Sequence, residues 1–279
     1  MKIAVIAPVL NEAQFIGYSI MSAHPHVDEF IYAVSPKSDD GTIEILRHIA
    51  KHYGNIRILL QSKYDFDPMD MKAYNGAFND CIDQTRCDAV WFLHPDMVIT
   101  QWKDIQEGPL AWTVNMTSYA RDLNTVITKG RATRWKNIHA KKFGLHYYGG
   151  YGSVNEDFYY SDITGTSYRH YGQQFSQYPF EVGETGIEVA HFCEVKPYKR
   201  RLEKMKLCLK TQMPNATDPL IEELAVQHPR VTLEESSEQF GKFEFQKSQV
   251  PLPAVFAKYQ DEFESLKKEK ELLCHQRTA

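Results

Sequence analysis

His94-Pro95-Asp96 closes the apolar run Ala89-Val90-Trp91-Phe92-Leu93. A short β-rich run that stops at polar residues puts imidazole and carboxylate groups at the C-terminal edge of a sheet, where α/β folds keep their ligand crevices. Two other places carry groups able to do chemistry. Glu156-Asp157 follows the glycine-rich stretch Gly149-Gly150-Tyr151-Gly152. Most acidic side chains are merely solvated, but a carboxylate is also the group that takes a proton from an otherwise unreactive hydroxyl. His191 follows Gly186-Ile187-Glu188-Val189-Ala190, a second strand-like run, and reads either as a satisfied structural histidine or as a ligand.

These residues need elements to position them. Met1 to Glu12 reads as a buried strand running into a loop and a helix, and Glu29 to Val34 reads as a second strand. After Ser35-Pro36-Lys37-Ser38-Asp39-Asp40-Gly41-Thr42, the residues Ile43, Leu46, Ile49, Ala50 and Tyr53 form an apolar stripe at helical spacing. Asp39 or Asp40 can then cap that helix, capping being the favoured reading for Asp40, while Asn11 reads equally as a cap or a ligand contact because both roles use the same polar atoms. Asp70 to Thr85 is a helix with Tyr74, Ala77, Phe78, Cys81 and Ile82 facing the core, leaving Lys72 and Asn75 off the stripe. Strands follow at Ala111 to Ala120, Thr125 to Thr128 and Arg134 to His139. Repeated βα units followed by mixed strands predict an α/β sheet with an antiparallel continuation.

Three features resemble family 2 glycosyltransferases in order and spacing over roughly the first two hundred residues. They are a first strand ending in Pro8-Val9-Leu10-Asn11-Glu12, a loop ending in Asp40-Gly41-Thr42, and His94-Pro95-Asp96 where the family has Asp-x-Asp. The resemblance implies a GT-A-type, Rossmann-like mixed sheet flanked by helices. It also implies transfer of a sugar from a nucleoside-diphosphate-sugar donor to a glycan or other hydroxyl acceptor, with inversion. Donor contacts would come from Pro8, Val9, Asn11, Glu12, Ser35, Lys72, Asn75, His94, Pro95 and Asp96. A divalent metal would sit on Asp96, His191 and His94. Because imidazole suits Mn²⁺ better than Mg²⁺, manganese is the expected ion. Asp157, or failing it Glu156, would be the catalytic base. The chain departs from the family pattern at Ser35, where an Asp is usual, at His94 in place of the first Asp, and at Tyr74 in place of an Arg.

After His191 the basic segment Lys196, Lys199, Arg200, Arg201 and Lys204 carries the apolar stripe Leu202, Met205, Cys208 and Leu209. It reads as an ordinary amphipathic surface helix or as a cover over a diphosphate. The expected division is a glycosyltransferase domain at 1–213 and a small helical C-terminal appendage at 214–279. The appendage begins a helix at Asp218-Pro219 and ends in one carrying Phe256, Tyr259, Phe263, Leu266 and Leu273. Tyrosines cluster from Tyr147 to Tyr178 with His146, Arg169 and His170, a possible wall for sugar rings or simply a part-buried core.

Composition bounds the classes. With 279 residues and 43% hydrophobic content the chain can bury one large core plus a small extension. A net charge of −4 argues against nonspecific nucleic-acid binding as the main task. No apolar run reaches the roughly 18 residues of a membrane span, and no signal peptide is read. Five scattered cysteines without metal-type pairing predict free thiols in a reducing, cytoplasmic setting. A noncatalytic nucleotide- or glycan-binding module of the same fold is the rival reading. A sugar-nucleotide pyrophosphorylase is disfavoured, because Ala7-Pro8-Val9-Leu10-Asn11 is no phosphate cradle.

Overall fold

The computed structural model describes residues 1–64, 66, 71–120, 122–129, 134–140, 145–147, 158–160, 182–213, 215–232 and 244–247. In chain order the elements are β1 (Ile3–Val9), α1 (Ile16–Ala23), β2 (Glu29–Val34), α2 (Thr42–Tyr53), β3 (Ile56–Leu60) and α3 (Met71–Gln84). Then come β4 (Ala89–Phe92), β5 (Met97–Gln101), β6 (Ala111–Ala120), β7 (Thr125–Lys129), β8 (Arg134–Ala140), β9 (Leu145–Tyr147), β10 (Phe158–Tyr160) and β11 (Val182–Glu194). The last described elements are α4 (Tyr198–Gln212), α5 (Asp218–Gln227), α6 (Pro229–Thr232) and β12 (Glu244–Lys247).

Among the described residues ten strands form one mixed sheet, and β9 and β10 pair separately as an antiparallel ladder. The parallel part runs β4-β1-β2-β3. Every residue of β1 and β4 is buried, as expected of parallel strands covered on both faces. Helix α3 packs against β1 and β2, and α1 packs against β5. The main core gathers Ile6, Phe30, Tyr32, Phe78, Trp91, Phe92 and Trp112. Beyond β4 the sheet turns antiparallel through β8, which also pairs antiparallel with β6.

The strand order positions the site. Successive strands leave β1 on one side through β2 and β3, and the chain then crosses back to place β4 on the other side of β1. Connections after β1 and β4 therefore diverge and leave a crevice at their C-terminal ends, a topological switch point. Glu12 follows β1 and Asp96 follows β4, so both acids stand at that opening.

β11 is longer than its sequence suggests. The apolar run ends at Ala190, yet the strand continues through His191 to Glu194. It is paired on both sides, parallel with β6 and antiparallel with β5, and Ala190, His191 and Phe192 are all buried. A doubly flanked strand keeps its backbone bonds satisfied whatever side chain it carries, so a histidine does not end it. The strand β5, unmarked in the sequence reading, is the partner that makes this possible.

Helices α4, α5 and α6 pack on one another through Met205, Leu209, Ile221, Ala225 and Val231, a cluster that spans residues 213 and 214. β12 joins the sheet beside β7. Among the described residues no helix is long and apolar enough to cross a membrane. The stretch expected to form the last helix, carrying Phe256 to Leu273, most of the tyrosine cluster, and Glu156 and Asp157 lie outside the described residues.

Candidate functional site

The loop after β4 is a tight turn closed by the Met97 N–H donating to the His94 carbonyl at 2.9 Å. Pro95 stands second in it, where its fixed φ favours turn formation. The turn buries Pro95 and Asp96 and leaves His94 half-buried against Phe92, the ring centroids 4.2 Å apart. β11 completes the arrangement: the Phe192 N–H donates to the Asp96 carbonyl at 2.9 Å, which sets His191 beside the Asp96 side chain.

Asp96 is 1% exposed and meets cationic or potentially cationic groups on both carboxylate oxygens. His191 Nε2 is 3.4 Å from Oδ1, Lys196 Nζ is 3.0 Å from Oδ2, and Lys204 Nζ is 3.7 Å from the same oxygen. Lys196 is itself buried and donates to both oxygens of Glu12, at 2.6 and 2.7 Å. One ammonium thus bridges the acids that follow β1 and β4. Burial alone would raise the Asp96 carboxyl, but Lys196, Lys204 and His191 together hold it well below the usual carboxylate range. Glu12 moves the other way: burial pushes it up and Asp96 adds to that, with Lys196 opposing.

The first two βα loops are tied to each other. Asn11 has φ 56°, the left-handed region that asparagine tolerates better than most residues. Its N–H donates to Ser38 Oγ at 3.3 Å, and its Oδ1 accepts the Asp39 N–H at 2.9 Å. Asp40 Oδ2 accepts the Ala13 N–H at 3.0 Å, while its Oδ1 accepts the Thr42 N–H at 3.0 Å and the Thr42 hydroxyl at 2.6 Å. Thr42 Oγ1 in turn accepts the Glu12 N–H at 2.7 Å. Gly41, with φ 94°, holds the N-cap position of α2, so Asp40 binds the first-turn N–H from one residue further out. Asn11→Ala is expected to lower the melting temperature more than Asn11→Gly. Both lose the bond to Asp39, but only alanine adds about 1–2 kcal/mol of left-handed strain. Equal melting temperatures would contradict this reading.

Of the residues singled out from sequence, Asn11, Glu12, His94, Asp96 and His191 gather at the switch-point crevice, with the His94 and His191 ring centroids 6.0 Å apart. Pro8, Val9 and Ser35 are buried at the loop bases, where the Ser35 N–H donates to the Val9 carbonyl at 2.9 Å and Ser35 Oγ accepts the Lys37 N–H at 3.3 Å. Asn75 is half-buried on α3, and Lys72 lies in the first turn of the same helix, its side chain outside the described residues. Lys196 and Lys204 are the functional candidates that sequence reasoning named only as part of a basic helix. A charge run ordinarily marks a solvated face, and only the seating of β11 turns these two inward.

A divalent cation fits the described residues poorly. Among them no group of three His, Cys, Asp or Glu side chains is placed to hold a metal. The Asp96 oxygen that points away from His191 already faces two ammonium groups. A dication bound there at the ~2.1 Å of a carboxylate contact would sit against Lys196.

No protein-family model matches the chain, and no curated protein matches it in sequence. Among solved structures, the chain is similar to TarS residues 1–349 of S. aureus, at 13% identity and TM-score 0.41, covering 83% of this chain and 71% of that one. It is also similar to glucosyl-3-phosphoglycerate synthase from Mycobacterium tuberculosis in complex with Mn²⁺, UDP and glucosyl-3-phosphoglycerate, at 15% identity and TM-score 0.43, covering 92% and 91%. Mannosyl-3-phosphoglycerate synthase from Rubrobacter xylanophilus shows 12% identity and TM-score 0.40, covering 91% and 90%. Likeness at this level assigns neither activity nor ligand to the chain.

Proposed function

We propose that the protein is a GT-A-type glycosyltransferase, moving a sugar from a nucleoside diphosphate to a hydroxyl acceptor with inversion at the sugar carbon. The observation that carries this reading is the buried Glu12–Lys196–Asp96 bridge at the switch point, reinforced by Lys204 and His191. The motif order along the chain supports it independently. Nucleoside contacts would come from the accessible edges of the two linked loops, Asn11 to Ala13 and Pro36 to Asp40, with Lys72 and Asn75 on α3 as further donor contacts.

In the reaction, Asp157 or Glu156 takes the proton of the acceptor hydroxyl. The acceptor oxygen then bonds to the sugar carbon from the face opposite the diphosphate. The bond between that carbon and the phosphate oxygen breaks, and its electron pair stays on the departing diphosphate. Lys196 and Lys204 meet the growing negative charge. Because they are already fixed by Asp96 and Glu12, little reorganisation is needed when that charge develops.

A melting screen against the nucleoside diphosphates and their sugars tests the binding half of this reading, since a ligand that binds only the folded state raises apparent stability. One base should stand out with both its diphosphate and its sugar conjugate. Donor hydrolysis or transfer by the wild type, lost in Asp157→Asn while the melting shift persists, separates an enzyme from a binding module. Absence of any shift across the panel rejects the proposal.

A further inference from the structure

Resting on the transferase reading, we infer that Lys196, supported by Lys204, stands where a divalent cation would otherwise meet the diphosphate. Asp96 is the acid best placed to hold a metal, yet its Oδ2 lies 3.0 Å from one ammonium and 3.7 Å from another. The first ammonium is anchored on its far side by both oxygens of Glu12, at 2.6 and 2.7 Å. Among the described residues here, two carboxylates against two ammoniums leave no surplus negative charge to attract a dication, and a dication beside Lys196 would be repelled across a short, dry gap.

The same geometry suits an incoming polyphosphate. The three N–H groups of Lys196 already face Glu12 Oε1, Glu12 Oε2 and Asp96 Oδ2, so it offers the anion a charge whose position the acids have fixed, while the partly exposed Lys204, its ammonium 3.7 Å from Asp96, supplies the direct donors. The backbone around it is pinned too. The Arg201 guanidinium donates to the Lys196 carbonyl and, through Nε and Nη2, to the Val231 carbonyl at 3.2 and 3.0 Å, tying the start of α4 to α6. Arg200 reaches Asp39 in the β2–α2 loop at 3.6 Å, which sets the basic helix over the nucleoside loops. The substitution of His94 for a first carboxylate has a consequence in this light: it leaves one less acid to hold a metal.

Two measurements on the full chain decide the matter. In calorimetric titration with the nucleoside diphosphate selected by the melting screen, EDTA is expected to leave the wild-type Kd unchanged within about twofold. Lys196→Ala should weaken binding by about 30-fold or more, the loss typical of truncating one member of a buried charged pair. Lys196→Arg should recover part of it, and Lys204→Gln, at the periphery of the cluster, should weaken binding several-fold with folding intact. In electron paramagnetic resonance of Mn²⁺, the wild type should leave the ion free, whereas Lys196→Ala, with Asp96 and Glu12 relieved of their ammonium, should bind it. Loss of wild-type nucleotide binding in EDTA with recovery on adding Mn²⁺ overturns the inference. So does Mn²⁺ binding by the wild type that Asp96→Asn abolishes. If no nucleoside diphosphate binds under any condition, the transferase reading fails, and the Mn²⁺ comparison of wild type with Lys196→Ala still decides whether the lysine holds the cation's place. Should Lys196→Ala not fold, Lys204→Gln and the wild-type EDTA and Mn²⁺ measurements carry the test.

Discussion

Asp96→Asn should lower kcat/KM for the nucleotide-sugar donor by about 10²–10³, comparable to removing one fixed electrostatic group from an active site. The variant keeps the shape of the β4–β5 turn, because that turn is closed by backbone atoms and by Pro95. What it loses is the charge that holds Lys204 and half-holds Lys196. The same substitution leaves buried positive charge under-compensated, at a cost of about 3–5 kcal/mol of stability. The pH dependence gives a second readout with a fixed sign. Asp96's folded pKa is held down by its cationic neighbours, so its contribution to stability is complete above the unfolded value of about 3.9 and is lost as pH falls through the lower folded value. The acid limb of wild-type unfolding should therefore flatten in Asp96→Asn. Full activity in the variant, with an unchanged acid limb, would remove Asp96 from the proposed site.

Asp157→Asn is expected to reduce kcat by about 10²–10⁴ while leaving donor affinity and melting temperature near wild type, the pattern for losing a general base that acts only in the transition state. Glu156→Gln should have a much smaller effect. The reverse order of effects would move the role of base to Glu156, and normal turnover in both would leave the proposed mechanism without a proton acceptor. The rising limb of the kcat/KM–pH profile should disappear in whichever variant lacks the base.

The parallel half of the fold is readable because its strands are nearly continuous apolar runs ending at polar loops: β1, β2 and β4 start and stop close to where composition changes. β6, β7 and β8 likewise fall where strand-like segments occur in the sequence. β5 is less legible, since Met97-Val98-Ile99-Thr100-Gln101 follows a charged triplet within a few residues and shows little alternation. Its existence depends on pairing with β11, a contact made far along the chain. The position of Asp96 at a sheet edge could be read from Trp91-Phe92-Leu93 giving way to His94. The inward turn of Lys196 could not, because no local pattern separates it from Lys199 or Arg200, which remain exposed and half-buried respectively. Asn11 was ambiguous between cap and ligand contact, and the structure puts its side-chain oxygen on the neighbouring loop.

The Glu12–Lys196 bond joins residues 184 positions apart. At ribosomal rates of about 5–20 residues per second, the lysine leaves the tunnel roughly 10–40 s after its glutamate. Glu12 waits alone while the chain grows to Asp96, and both acids then wait for Lys196, so water must keep the end of β1 and afterwards that of β4 hydrated. Closure of the crevice therefore waits until β1 to β11 have all been synthesised. A ribosome that stalls shortly before Lys196 leaves behind most of the sheet's strands around a solvated, negatively charged mouth.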